Sequence, residues 1–590
     1  MMSTMVSVRG WKVSVVGILG VGLLLGGVGC RRHRKTRSAP NTDAYAEKIQ
    51  PLVQSTRLPF LKIPDVGVYE APVQTFYDDR NDEIAWTRDG QPTAQAKAFT
   101  QAFKEADKKG LNPEDYDASR WDGRVQALAS KADDAIAQYD VAMTIAVMRY
   151  VSDLRIGRLN PQHFNFDINA ESKKYDLPEF VSDNAVDADD VPKLIASVEP
   201  DNEEYRATEQ ALAHYLDLAK QQAASGAQDL PTVAKTVSTG GSYPAIPALT
   251  ARLRLEGDLD QSDTAPDDGK AAATTYTAAL SDGVKNYQMR HSLTPDGKLT
   301  AATIASMNVP LSQRVLQLDA SLERWRWLPN EYVNPRLMVN LPEFILRGYG
   351  EDHQQEFSMR VVVGKMVGEH ETPVFTHMMK YLIFRPYWNV PVDIARKELV
   401  PHMNASKGYL AAKNFEVTDG KGQIETSYTA EQVAHGGLLV REKPGPKNSL
   451  GLVKFMFPNE YDIYLHSTPA VELFNRTRRD FSHGCIRVQH PDDLAAWVLK
   501  GQQDKDQQDW DLEKVQDAMN NGPDNHQVNL KTPLPIVIFY LTARVGEDGK
   551  VDFFDDIYKY DENMIEILKK GPPYPVEKEA PKPKTPGDTV

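Results

Sequence analysis

Cysteine is scarce in this chain: two occur in 590 residues, Cys30 and Cys485, the second within SHGCIRV, 482 to 488. A thiol is mostly protonated near neutrality and only the thiolate attacks well, so a nucleophilic cysteine needs a base or a positive field beside it. This stretch supplies both. His483 lies two residues before Cys485. In an extended backbone residues i and i+2 face the same side, so imidazole and sulfur can meet. Gly484 permits a tight backbone whose amides serve as oxyanion donors. Arg487 can hold a carboxylate or support the thiolate. His466 ends a strand-like segment, and a loop running out and back can return it to the same pocket. Two other readings compete. A lone cysteine is commonly a small buried apolar residue. A zinc site would need His466, His483, Cys485 and His490 to converge, but His-x-Cys is a poor ligand spacing and no Cys-x-x-Cys accompanies it. Core filler and reactive thiol both stay open on the residues alone.

Composition narrows the class. The chain is too long for one core, so about three or four domains are expected. Apolar content of 41% and charged content of 25% suit a soluble globular body, and a net charge of -14 argues against a nucleic-acid partner. The N-terminus reads as a targeting segment: VSVVGILGVGLLLGGVG, 13 to 29, carries no charge and Cys30 follows directly. A lipid on Cys30 and an uncleaved membrane anchor both fit, although Gly27 stands where a lipoprotein site prefers a branched aliphatic. The basic run RRHRK, 31 to 35, suits lipid headgroups. In an exported body Cys485 would then have no disulfide partner, and an unpaired thiol in an oxidising compartment favours retention for reactivity.

The elements that must position this chemistry follow from periodicity. After a polar tether at 31–50, the pattern is helical: 93–110, 139–157 and 203–224 each carry an apolar face. Their aromatic and methionine stripes read as core. Residues 225–243 read as a linker or an exposed loop. VKNYQMRHSLTPDGKLTAATIASMNV, 284 to 309, reads as helix, turn, helix, with Thr300 as a cap, and the acidic 259–273 as a loop in the same unit. From about 313 the period becomes strand-like, with a hairpin expected around Asn459-Glu460 and another through GEDG, 546 to 549. The polar segment 395–437 interrupts these strands. The expected fold class is multidomain α+β.

HSTPAVELFNRTRRDFSHGCIRV, 466 to 488, resembles the signature of bacterial L,D-transpeptidases. RPYWNVP (385 to 391), IARKELVP (394 to 401), REKPGPKNSLGLVKFMFPN (441 to 459) and DIYKYD (556 to 561) resemble the large periplasmic branch of that family. FYDDR (76 to 80), GLNPEDY (110 to 116) and DLRIGRLNP (153 to 161) resemble its scaffold. The resemblance implies a signal or anchor over 1–30, a mainly helical scaffold over 51–245, and a peptidoglycan-binding-like unit over 246–312. It also implies a β-sandwich catalytic domain over 313–565, with a lid inserted at about 395–437, and a disordered tail over 566–590. It makes Cys485 the nucleophile and His483 the base and later acid. His466 would position substrate, Gly484 and Cys485 would supply oxyanion amides, and Ser482 would support the turn. Arg487 would support the loop or stem carboxylates, and Tyr387 and Trp388 would wall the substrate. Peptidoglycan tetrapeptide stems are the implied substrate and other wall-synthesis enzymes the possible partners, with no cofactor or metal. Carbapenems are the implied inhibitors. The implied location is the periplasm of a Gram-negative bacterium, membrane-associated. Water, a D-amino acid or a protein amine remain open as acceptors beside a stem amine.

Overall fold

The computed structural model describes residues 42–226, 228–262, 274–365 and 370–575. The apolar segment, Cys30, most of the acidic 259–273 loop and the last fifteen residues lie outside these. No helix among the described residues is long and apolar enough to cross a membrane.

The N-terminal helices pack around α1 (Asp133–Ile156), which is buried on nearly every face. Its Asp140 explains much of that packing. The fully buried carboxylate accepts the backbone N–H groups of Ala85 (2.9 Å) and Trp86 (2.8 Å) and the Tyr77 hydroxyl (2.9 Å). An unstructured turn is thereby pinned to the central helix through donors that would otherwise be buried without partners. The tether reading is overturned from its middle onward, because Thr42–Val53 is a helix whose Ile49 and Val53 join this core.

DLRIGRLNP docks these helices onto the rest of the molecule. Gly157 takes a φ of +83°, and a Cβ there would meet Glu323 Oε1 and the Trp327 ring at 2.8 Å. The close approach lets buried Glu323 accept the N–H groups of Arg158 (2.5 Å) and Leu159 (2.9 Å). Glu323 belongs to α3 (Leu311–Trp327), which packs beside α2 (Glu203–Ser225) against the strand-rich region.

A small helical unit has its own core, from Leu230 to Met307. Thr300 caps its last helix by accepting from Thr303 N–H at 3.1 Å. Of the linker and the exposed loop expected at 225–243, the structure shows the loop, exposed at most of its described residues. Val237 bridges Leu299, and Tyr243 N–H donates to Thr274 (2.7 Å), so this stretch packs onto the unit. Gly and Ser lowered its apparent order, but its backbone finds partners locally.

The strand-rich region is built on one mixed sheet. Its strands are β1 (Leu337–Asn340), β2 (Ile345–Tyr349), β3 (Gln355–Gly364), β4 (Phe375–Phe384), β5 (Val453–Met456), β6 (Leu465–His466), β7 (Asp480–Ser482), β8 (Ile486–Val488) and β9 (His526–Phe539). The order is β7-β3-β8-β6-β5-β4-β9-β1-β2, and β2 pairs back onto β3, so the sheet folds round on itself. β5 and β6 are antiparallel as expected, with Asn459 organising the loop between them. Its side chain accepts from Tyr461 N–H (3.0 Å) and donates to the Ile463 carbonyl (2.8 Å). The parallel pairs β6–β8, β7–β3 and β9–β1 join distant segments. The GEDG hairpin forms between Ala543–Val545 and Val551–Phe553.

The interrupting segment is wider than 395–437. Trp388 and Asn389 pair with Glu442 and Arg441, so its first and last strands are neighbours. Val390, Leu399, Val417 and Val440 are part of its separate core. The disordered tail expected over 566–590 is contradicted at its beginning, and 576–590 lie outside the described residues. Tyr560–Lys570 is a helix, and the Tyr574 hydroxyl donates to Asp115 at 2.9 Å.

Candidate active site

Three neighbouring strands present one lateral row. Lys454 on β5 is in register with His466 on β6, and His466 with Arg487 on β8. All three line a cavity of about 1240 Å³ bounded on its other side by the inserted segment. His466 is buried, and its Nδ1 donates to the Ser467 carbonyl at 2.5 Å. Burial, with Arg487 beside it, pushes its pKa down to about 3, so it is a neutral, weak base. Burial also lowers the Lys454 pKa, opposed by the neighbouring Cys485, and the ammonium lies 5.3 Å from the centre of the Tyr464 ring. Arg487 is lowered by burial too, and its Nε is buried without a hydrogen-bond partner. Two cations therefore flank a neutral imidazole on the cavity wall, a pattern suited to carboxylates.

Cys485 opens into the same cavity, half-buried. Its thiol points at the Asp462 carbonyl, 3.6 Å away. Burial pushes its pKa up to about 11, opposed by hydrogen bonding with Tyr464 and by Lys454. The resting sulfur is thus a protonated thiol.

The extended reading of SHGC is overturned locally. β7 ends at Ser482 and β8 begins at Ile486, so residues 483–485 form a bend. Ser482 spans it: its hydroxyl donates to the Cys485 carbonyl (2.6 Å) and accepts from Gly484 N–H (3.2 Å). That second bond corrects the expectation that Gly484 offers an oxyanion amide, because a polar side chain within the bend already occupies it. Gly484 takes a φ of +112°, and its carbonyl turns inward to accept from the buried Thr372 hydroxyl at 2.6 Å.

His483 lines the cavity, yet no hydrogen bond joins it to Cys485 among the described residues. Its Nε2 donates to Glu398 Oε1 of the inserted segment at 2.7 Å, and its ring meets His370 edge-on at 4.8 Å. Trp388 lines the cavity at the base of the inserted segment. Tyr387 is a correction. It lies outside the lining, because its ring is turned to the Arg441 guanidinium, 4.3 Å from the ring centre. His490 is exposed and 4.0 Å from Asp493, and no group of three candidate metal ligands clusters among the described residues.

Sequence reasoning missed Glu398, Lys454 and Tyr464. Lys454 had a signal: a cation alternating with buried Val453 and Phe455 marks a charged group on the opposite face of a strand. Glu398 had none, since only the inserted segment's fold brings it to His483.

The geometry agrees with comparisons to known proteins. Residues 71–212 match the family model of a scaffold domain, and residues 334–512 match that of an L,D-transpeptidase catalytic domain. A Haemophilus influenzae protein named "Putative L,D-transpeptidase" is 29% identical over 286 residues, covering 47% of this chain and 56% of the relative. The matched region is thus a little over half that relative's length. The chain is thus similar, in this order, to a scaffold domain and to an L,D-transpeptidase catalytic domain.

Proposed function

We propose that this protein forms 3-3 crosslinks in peptidoglycan through a thioester on Cys485. The observation carrying this reading is the Cys485 thiol opening into a cavity walled by Lys454, His466 and Arg487 and roofed by the lid. A tetrapeptide stem carries the carboxylates that such a row can hold. His483 takes the thiol proton, and the thiolate adds to the carbonyl between meso-diaminopimelate and D-Ala. The amide bond breaks, His483 returns the proton to the leaving amine, and D-Ala departs. The side-chain amine of a second stem then attacks the thioester, His483 takes the amine proton and passes it to the departing sulfur, and the new amide is the crosslink. The resting state has His483 held by Glu398, so movement of the lid frees the imidazole to reach sulfur.

The 1–30 segment would hold the protein at a periplasmic membrane surface, near other wall-synthesis enzymes. Carbapenems, whose strained amide reports on the same attack, would acylate Cys485. Incubating the protein with labelled tetrapeptide stems separates the outcomes. Crosslinked dimers with release of one D-Ala per link are expected. Tripeptides alone would assign a carboxypeptidase. Unchanged stems would leave a non-catalytic wall-binding protein.

A further inference from the structure

The DIYKYD segment has no part in the chemistry above, yet it reaches the catalytic bend through one residue. Thr372 is fully buried between them. Its hydroxyl donates to the Gly484 carbonyl (2.6 Å) and accepts from Gly364 N–H (2.9 Å). The Tyr558 hydroxyl accepts from Thr372 N–H (3.3 Å) and donates to the Gly364 carbonyl (2.8 Å). Tyr558 is held in turn, since its N–H donates to the Tyr540 hydroxyl (2.8 Å), which donates to Asp556 (2.6 Å). Next to it, the Tyr560 hydroxyl donates to Glu371 (2.8 Å). The end of β3 leaves no slack here: a Cβ on Gly364 would meet the His370 carbonyl at 2.0 Å.

The Gly484 carbonyl and the Cys485 N–H belong to one peptide plane. In a trans peptide they point in opposite directions. A donor fixed on the buried side of the carbonyl therefore turns the amide the other way, toward the face where the sulfur meets the cavity. Hydrogen bonding to the carbonyl also polarises the N–H of the same unit. Gly484 N–H is occupied by Ser482, and no hydrogen bond engages the Cys485 N–H among the described residues.

We infer that Thr372, braced by Tyr558, is a positioning residue that aims the Cys485 amide as an oxyanion donor. The inference rests on the proposed acyl transfer at Cys485. A tetrahedral intermediate on the attacked carbonyl would place its oxygen against this amide. Losing the Thr372 hydroxyl frees the peptide plane to rotate, and the donor is lost while the sulfur remains.

The test uses two reactions of the same thiol in the full chain. Acylation by a carbapenem develops an oxyanion, whereas alkylation by iodoacetamide displaces iodide and develops none. Thr372→Val is expected to lower the acylation rate about tenfold or more, since loss of an oxyanion donor outright costs about 10²- to 10³-fold. Thr372→Ser keeps the hydroxyl and should stay within about threefold of the parent on the same grounds. Iodoacetamide rates should agree within about twofold across all variants, because that displacement draws on the thiolate alone. Tyr558→Phe removes the brace and should move acylation in the same direction as Thr372→Val, which keeps the test usable if that variant folds poorly. Acylation of Thr372→Val and Tyr558→Phe at the parental rate overturns the inference alone, as does an equal loss of acylation and alkylation. A parent protein that is alkylated but never acylated sinks the acyl-transfer reading and this inference with it.

Discussion

His483→Gln is expected to slow acylation of Cys485 by about 10²- to 10⁴-fold at neutral pH, the usual contribution of a positioned general base. The reason lies in the resting thiol. With its pKa pushed up to about 11, roughly one molecule in 3,000 carries a thiolate at pH 7.5. A base must therefore remove the proton as the attack proceeds. Two imidazoles line the cavity, and only one fits that task. His466 is buried, engaged with the Ser467 carbonyl and pushed down to about 3, so it gains little by accepting a proton. His483 sits on the bend itself, with its Nε2 bonded to the Glu398 carboxylate and its ring against His370. The pH profile provides the sign. Without the base, the rate follows the thiolate population and should rise about tenfold per pH unit through pH 9, approaching a plateau near the thiol pKa. Parental rates in His483→Gln, measured by carbapenem acylation across pH 6 to 10, would assign proton removal to another group.

Asp140→Ala is expected to destabilise the N-terminal helical domain by about 3–5 kcal/mol. Removing this carboxylate leaves the Ala85 and Trp86 amides and the Tyr77 hydroxyl buried without this acceptor. Burial raises the pKa of Asp140, and the two backbone donors oppose that shift. The group is therefore costly to bury and more costly to remove. Thermal unfolding should show an early transition in Asp140→Ala, with hydrogen exchange accelerated first at Ala85 and Trp86. A loss below about 1 kcal/mol, typical of an exposed position, would mean that the turn is held by packing alone.

What the sequence made legible follows the range of each interaction. The helices at 93–110, 139–157 and 203–224 were readable because their apolar faces repeat within a few residues. The antiparallel β5–β6 pair was readable because its strands are close in the chain. The parallel pairs were not, since β7 finds β3, and β9 finds β1, across more than a hundred residues that carry no local mark. The site divides in the same way. Cys485, His483 and Arg487 share one short stretch, and His466 lies on the strand before it. Glu398 and Thr372 reach them only through tertiary structure. The i, i+2 argument for His483 and Cys485 failed because Ser482, a small polar residue, draws the backbone into a bend that extended geometry does not describe. Gly484, read as an open amide, instead supplies the positive φ that turns its carbonyl toward Thr372.

Acyl transfer requires that Cys485 itself become covalently acylated. Intact-mass measurement of the full chain after incubation with a carbapenem reads this step. A gain of one drug mass per chain is expected, mapped by peptide analysis to Cys485 and absent in Cys485→Ala. An unmodified parent protein, or an adduct that persists in Cys485→Ala, would contradict it.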